Sequence, residues 1–196
     1  MAGVNDLLAH GAAPVYFPQR EKVLGGTHPV GEGAMIEIPE LKIKFSVLDI
    51  PGHTAGHVAY VGAGGVFCGD TLFGCGCGRL FEGTAAQLLH SLKKLADLPD
   101  DTQVYCGHEY TESNIRFALA CEPDNAQLVQ RQQDVQRLRA AGIPTLPSNI
   151  ALEKSTNPFL RCTVSAIIKS VQQQSAVQQT DELSIFTALR VWKNTF

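Results

Sequence analysis

Apolar and polar positions along this chain follow two different periods, and the change from one to the other falls near residue 110. In the first half, Ile43, Phe45 and Val47 alternate with Lys42, Lys44 and Ser46, the period of a half-buried strand that turns wholly apolar at Leu48 and ends near Ile50. His57 to Val61 and Val66 to Cys68 predict two more short strands, separated by Gly62-Ala63-Gly64-Gly65, a loop of hairpin composition. Pro14 to Pro18 is a short extended segment and Gly25 to Gly33 a loop. Val4, Leu7 and Leu8 have helical spacing before the stop at Gly11. Thr84 is placed to cap a helix running to about Leu98, with Ala85, Leu88, Leu89, Leu92 and Leu95 on one face. Gln103 to Cys106 is predicted as the last strand. Beyond it Thr111 to Ala120, Asn125 to Ala141, Thr163 to Gln174 and Asp181 to Lys193 have helical patterns, interrupted at Pro123, Gly142, Pro144, Pro147 and Pro158. The pattern predicts an α/β front half to about residue 110 and a helical back half, with no internal repeat and no long linker.

Composition narrows the class of protein. The 196 residues include 16 Lys and Arg against 19 Asp and Glu, a formal charge of -3, with 18% charged and 44% apolar residues. A chain this long can bury a real core. Neither the high net charge of a disordered chain nor the basic excess of a nucleic-acid binder is present. No apolar run approaches the roughly 18 residues of a membrane span. The stretch Met1 to Leu8 carries no basic leader and no apolar core of signal-peptide length, so a reducing cytoplasm is expected. The six cysteines, irregularly spaced at 68, 75, 77, 106, 121 and 162, are then expected as free thiols. Cys75 and Cys77 lack the Cys-x-x-Cys spacing of a zinc or redox pair.

Three predicted strands end in glycine-rich turns that each carry a metal-ligand type: Pro51-Gly52-His53-Thr54-Ala55-Gly56-His57, Cys68-Gly69-Asp70-Thr71 and Cys106-Gly107-His108-Glu109. Strand ends of layered α/β folds converge on one edge, where ligands bind. Imidazole and carboxylate suit zinc, manganese or iron, and a carboxylate can bridge two ions. Each segment has an ordinary alternative: a histidine after a strand can be a hydrogen-bonding loop residue, and Gly-Asp is a common turn. Their joint placement at successive strand ends favours the metal reading. His57, His10, His28 and His90 lack that context, and His90 is expected on the surface of its helix.

The runs 51 to 57, Phe-Cys-Gly-Asp-Thr-Leu-Phe at 67 to 73, Gly-Cys-Gly-Arg-Leu-Phe-Glu-Gly-Thr at 76 to 84 and Tyr-Cys-Gly-His-Glu-Tyr-Thr at 105 to 111 resemble glyoxalase II, hydroxyacylglutathione hydrolase, of the metallo-β-lactamase superfamily. The similarity extends from about Val4 to Phe196. The first run alone marks the superfamily; the third, with the helical tail, narrows it. The resemblance implies an incomplete metallo-β-lactamase αββα sandwich over 1–110, truncated at its N-terminus, followed by a helical glutathione-binding domain over 111–196. It implies that His53 ligates one divalent ion, Asp70 bridges two, and His108 ligates the second, with zinc first and iron or manganese as alternatives. A metal-bound water held by these residues would attack the thioester of S-D-lactoylglutathione or a related S-(2-hydroxyacyl)glutathione, releasing glutathione and a 2-hydroxy acid in the second step of methylglyoxal detoxification.

Recognition of the glutathione moiety is implied for Arg79, the Phe81 backbone, Tyr110, Arg190 and Lys193. Cations at 190 and 193, one helix face, suit carboxylates, although they would also complement a helix dipole. Phe81 stands where some family members have Tyr. The implied partner is a small-molecule glutathione thioester rather than nucleic acid or membrane.

The family also carries Thr-His-x-His-x-Asp-His just before a helix that begins like Gly-Val-x-x-Leu. Ala2 to Leu8 resembles the start of that helix, and none of the six histidines forms the motif. The ligands that motif supplies, two for each ion, are therefore absent from this sequence. A chain cut short is expected, because the break falls within a motif, rather than a short product that is inactive or pairs with another chain. The expected state is a monomer, or a chain that needs the missing N-terminal segment. An exposed sheet edge and apolar surface should accompany it. Two other readings keep the same residues: a non-catalytic glutathione-binding remnant, and a persulfide dioxygenase-like enzyme, against which the tail with Arg190 and Lys193 argues.

Overall fold

A computed structural model describes residues 3–196. Met1 and Ala2, where the expectation of a chain without a leader begins, lie outside the described residues. The elements run α1 (Val4–Leu8), β1 (Tyr16–Pro18), β2 (His28–Val30), β3 (Met35–Ile38), β4 (Ile43–Asp49), β5 (Val58–Gly62), β6 (Gly65–Gly69), β7 (Leu72–Phe73), β8 (Gly76–Cys77), α2 (Ala85–Ala96), β9 (Gln103–Cys106), α3 (Thr111–Cys121), α4 (Ala126–Ala140), β10 (Ser148–Asn149), α5 (Ile150–Thr156), α6 (Ser165–Gln174) and α7 (Glu182–Thr195). A six-stranded sheet has the order β10-β9-β6-β5-β4-β3, and β1-β2 and β7-β8 are separate two-stranded ribbons. Strands β3 to β6 form an antiparallel meander, and β9 joins β6 in parallel after the crossover through α2. The α/β front and helical back are as the periodicities predict.

Two expectations need correction, and one helix is unforeseen. The segment read as a loop at Gly25 to Gly33 contains β2, paired in parallel with β1. Gln103 to Cys106 is not the last strand, because Ser148 and Asn149 add β10 antiparallel to it. Helix α5 follows at once in a stretch whose flanking prolines masked its helical pattern.

The alternation in the strands sorts side chains between two faces. Leu48, Ile50, Ala59, Val61, Val66, Cys68, Val104 and Cys106 face a core built with α2, α3, α6 and α7, and that cluster takes residues from both sides of residue 110. Helix α2 has the predicted cap: Gln87 N–H donates to Thr84 Oγ1, and Thr84 N–H donates to Gln87 Oε1. On the opposite face Ile36, Val47 and Val58 pack beneath Val30 and Tyr16. Farther along that face Phe67 and Tyr105 stack with centroids 4.8 Å apart and remain 43% and 40% exposed, the apolar surface the sequence leads one to expect.

Candidate functional site

The three glycine-rich turns meet at one edge of the sheet. Histidine 53 sits on the turn after β4, which is pinned from several sides. Ser91 Oγ of α2 donates to the Pro51 carbonyl at 2.7 Å, Ala55 N–H donates to Glu82 at 2.9 Å, and Thr54 is hydrogen-bonded to Glu21. Asp70 follows β6, whose pairing with β9 shifts register between Phe67 and Gly69 before Gly69 pairs with Cys106. His108 follows β9, and Gly107 N–H donates to the Gly69 carbonyl at 2.8 Å, tying the second turn to the third.

Both imidazoles aim at one carboxylate oxygen. His53 Nε2 lies 3.6 Å and His108 Nε2 3.5 Å from Asp70 Oδ2, beyond the ordinary hydrogen-bond range. His53 Nδ1 lies 2.8 Å from the Arg79 carbonyl. A carbonyl only accepts, so Nδ1 carries the proton and Nε2 presents its lone pair, the arrangement that orients a metal-bound imidazole. Glycine is required where the turns touch: a Cβ on Gly107 would stand 2.4 Å from Asp70 Oδ1, and one on Gly78 would stand 2.0 Å from the Asp70 carbonyl oxygen. These donors fit a divalent ion in chemical type, tautomer and aim. They fall short in number for each ion: His53 and His108 share only Asp70, and among the described residues no group of three or more His, Cys, Asp or Glu side chains is gathered closely enough to hold one metal ion. Gly107→Ala is expected to push the carboxylate aside and weaken zinc binding by about 10- to 100-fold, measured by competition with a chromophoric chelator; unchanged affinity would show that Asp70 takes no part in holding the ion.

His57 lies behind the site, with Nδ1 3.2 Å from Thr71 Oγ1. Burial pushes its pKa down and the neighbouring His53 adds to the shift, against smaller opposing effects of Glu21 and Asp70, so its neutral form is favoured. His90 is exposed on α2, as expected.

A cavity of about 620 Å³ opens from the His53, Asp70 and His108 cluster towards the C-terminal helix. Phe73, Tyr110 and Phe81 line it together with Arg79, Arg190 and Lys193. The Tyr110 ring stacks on His108 at 5.2 Å, Phe73 meets Tyr110 edge-on at 5.3 Å, and the Phe81 ring lies 4.9 Å from that of His53. Phe81 N–H is engaged by the His53 carbonyl at 3.2 Å. Lys193 Nζ lies over the rings of Phe117 and Phe196. Arg190 is only 5% exposed: Nη1 donates to the Cys77 carbonyl at 3.0 Å, Nη2 to Asn194 at 3.3 Å, and Nε is buried without a partner. Among the described residues, none of these three cations pairs with a carboxylate. Burial pushes the Lys193 ammonium below the usual lysine value, and the charges of Arg190, Arg116 and Arg79 push the same way, slightly opposed by Cys121.

The structure thus brings every residue singled out for metal or substrate contact to one cavity. Phe73 joins them, although it lay unassigned within a recognised run. Cys75 and Cys77 are both buried free thiols in different core clusters, and burial pushes Cys75 up to about 12.

Comparison with known proteins gives two family matches in series. The model of the metallo-beta-lactamase superfamily matches residues 2–108, and that of the hydroxyacylglutathione hydrolase C-terminus matches 109–196. The hydroxyacylglutathione hydrolase of Nitrosomonas europaea is 54% identical over 194 residues, covering 99% of this chain and 74% of that protein. That of Aliivibrio fischeri strain MJ11 is 54% identical over 197 residues, covering 100% and 77%. Among solved structures, ETHE1 from Myxococcus xanthus aligns with a TM-score of 0.59 at 24% identity over 97% of this chain and 71% of its own, a likeness of fold. A protein crystallised in a di-iron-bound form aligns with a TM-score of 0.51 at 26% identity over 81% of this chain and 70% of its own.

Proposed function

The chain belongs to the hydroxyacylglutathione hydrolase family of the metallo-beta-lactamase superfamily, and on that premise we propose that its cavity takes S-(2-hydroxyacyl)glutathione thioesters such as S-D-lactoylglutathione and hydrolyses them to glutathione and a 2-hydroxy acid. The observation that carries this reading is one cavity lined both by ligand-type side chains and by cations that pair with no carboxylate among the described residues. We assign the division of labour at about residue 110: residues 1–110 contribute His53, Asp70 and His108, and 111–196 contribute Tyr110's neighbours on α3 together with Arg190 and Lys193.

Divalent-metal chemistry goes with the superfamily, and zinc suits the imidazole and carboxylate donors, with iron or manganese as alternatives. His53 and His108 would each hold one ion, with Asp70 shared between them. Such ions supply a water acidified to near neutral pH and a Lewis acid for the thioester carbonyl. The chain's own groups do the rest. Arg79 and Lys193 bind the carboxylates of the glutathione moiety, and Arg190 shapes the wall behind them by holding the Cys77 carbonyl. Phe73, Phe81 and Tyr110 exclude water around the acyl group. The water oxygen joins the carbonyl carbon as the carbon–sulfur bond breaks, and glutathione leaves as a thiolate that takes up a proton. A thiolate leaves readily and needs little acid assistance.

One imidazole and a shared carboxylate per ion are fewer than the three protein ligands of an ordinary catalytic zinc. We therefore assign full turnover to a form in which further polypeptide supplies the remaining ligands, and to these 196 residues alone a second reading, glutathione binding with little turnover. Both use the same cavity. No helix of the described residues is long and apolar enough to cross a membrane, and a cytoplasmic monomer acting on a small molecule fits this role.

Lys193 gives a test that needs no metal. Its protonated form attracts the ligand carboxylates and its neutral form does not. Affinity for S-methylglutathione, whose sulfur does not titrate, is therefore expected to fall as pH rises, starting below the usual lysine value of about 10.4. Calorimetric titrations of the native protein and Lys193→Met across this range should differ by that limb. Parallel profiles would remove Lys193 from the anion site.

A further inference from the structure

The segment joining Asp70 to Arg79, both in the cavity wall, is itself buried. Every residue from Thr71 to Gly78 is buried, between the partly exposed Asp70 and the exposed Arg79. A buried turn must place its backbone polar groups somewhere, and here side chains of the helical region receive them. Asn114 Nδ2 donates to the Gly74 carbonyl at 3.1 Å, Asn157 Nδ2 to the Gly76 carbonyl at 2.9 Å, and Arg190 to Cys77 as described. Cys75 N–H donates to Glu153 Oε2 at 2.8 Å and its thiol to the Thr156 carbonyl at 3.2 Å. Cys75 has φ of 59°, a conformation that a residue with a Cβ holds only when its surroundings enforce it. Glu153, wholly buried, is held in turn by Arg131 at 2.6 Å, by Ser148 and by Asn157 Nδ2 at 2.9 Å. Neither Glu153 nor Asn157 lines the cavity.

We propose that Glu153 and Asn157 are positioning residues: from outside the cavity they fix the buried 71–78 turn and so set the spacing between Asp70 at its start and Arg79 at its end. The significance of that spacing rests on the reading that the cavity binds glutathione. Asp70 and Arg79 bracket the turn, which closes through Gly78 N–H donating to the Thr71 carbonyl at 3.1 Å, and β7 and β8 are two residues each and pair only with one another. The helical region thereby acts on Asp70 as well as contributing Arg190 and Lys193 to the cavity.

The test is Asn157→Ser, which leaves an oxygen to cap Phe159 N–H, now bonded to Asn157 Oδ1 at 3.1 Å, and removes the donor to the turn. Well below the melting transition, glutathione is expected to bind about tenfold more weakly by calorimetry, and the backbone amide resonances of Asp70 and Arg79 should shift together with those of Cys75 and Gly76. A lowered melting temperature with shifts confined to Cys75 and Gly76 and unchanged glutathione affinity would reduce both residues to packing and overturn the proposal. If the native chain binds no glutathione, the binding reading fails, and the Asp70 and Arg79 amides alone decide the positioning claim. Should Asn157→Ser fail to fold, the same amides are read in Asn157→Gln, whose longer amide displaces the turn without removing the donor.

Discussion

Asp70→Ala is expected to cost the ligand-completed protein both divalent ions and to lower thioester hydrolysis by at least about 10³-fold. Asp70 is the single carboxylate to which both His53 and His108 turn their Nε2 atoms, so its loss removes the shared ligand and leaves two imidazoles with nothing between them. The several kcal/mol that a bound ion contributes to stabilising developing charge convert to roughly this factor at 1.36 kcal/mol per tenfold. Metal content by elemental analysis and a hydrolysis assay check it together. Two ions retained with near-native turnover would move the reaction centre elsewhere. Glutathione binding should persist in this variant, because Arg79 and Lys193 remain in the cavity wall.

The largest effect on stability is expected from Arg131→Met. The Arg131–Glu153 pair is almost wholly buried, at 4% and 0% side-chain exposure. Removing the guanidinium strands a carboxylate away from water, at a cost of about 3–5 kcal/mol. Pairing the change with Glu153→Leu relieves the stranded charge, and in many buried pairs such a double replacement is close to neutral. Here it should recover only part of the loss, because Cys75 N–H and Asn157 Nδ2 also give their hydrogen bonds to Glu153 and become unsatisfied buried donors. Denaturant unfolding of the two variants measures this directly. Full recovery in the double variant would show that the pair holds only itself together.

Much of the framework is legible in the sequence because it is local. Strand β4 declares its two faces by alternation, and the Thr84 cap with Gln87 three residues later starts α2 where expected. The metal-ligand types stand at strand ends, so their convergence follows from topology. What escapes has non-local causes. Strand β2 exists only through its pairing with β1, and β10 only because β9 offers an edge. The stacking of Phe67 on Tyr105 depends on the parallel register of β6 and β9. Arg190 shows the same limit within the cavity: its position on α7 is legible, while its use on the Cys77 carbonyl is not. Glu153 carries no signal at all, being one glutamate in a short helix until folding places it against a buried turn 78 residues away.

The central claim is that His53, Asp70 and His108 are part of a thioester-hydrolysing metal centre whose remaining ligands come from polypeptide outside these 196 residues. The most direct measurement is S-D-lactoylglutathione hydrolysis, with metal content, by this chain alone and by the same chain joined to an upstream segment bearing Thr-His-x-His-x-Asp-His. The account predicts little turnover and substoichiometric metal for the chain alone, and turnover with two ions per molecule for the joined protein. Full turnover by the 196 residues alone would contradict the ligand count, and no turnover after joining would contradict the hydrolase reading itself.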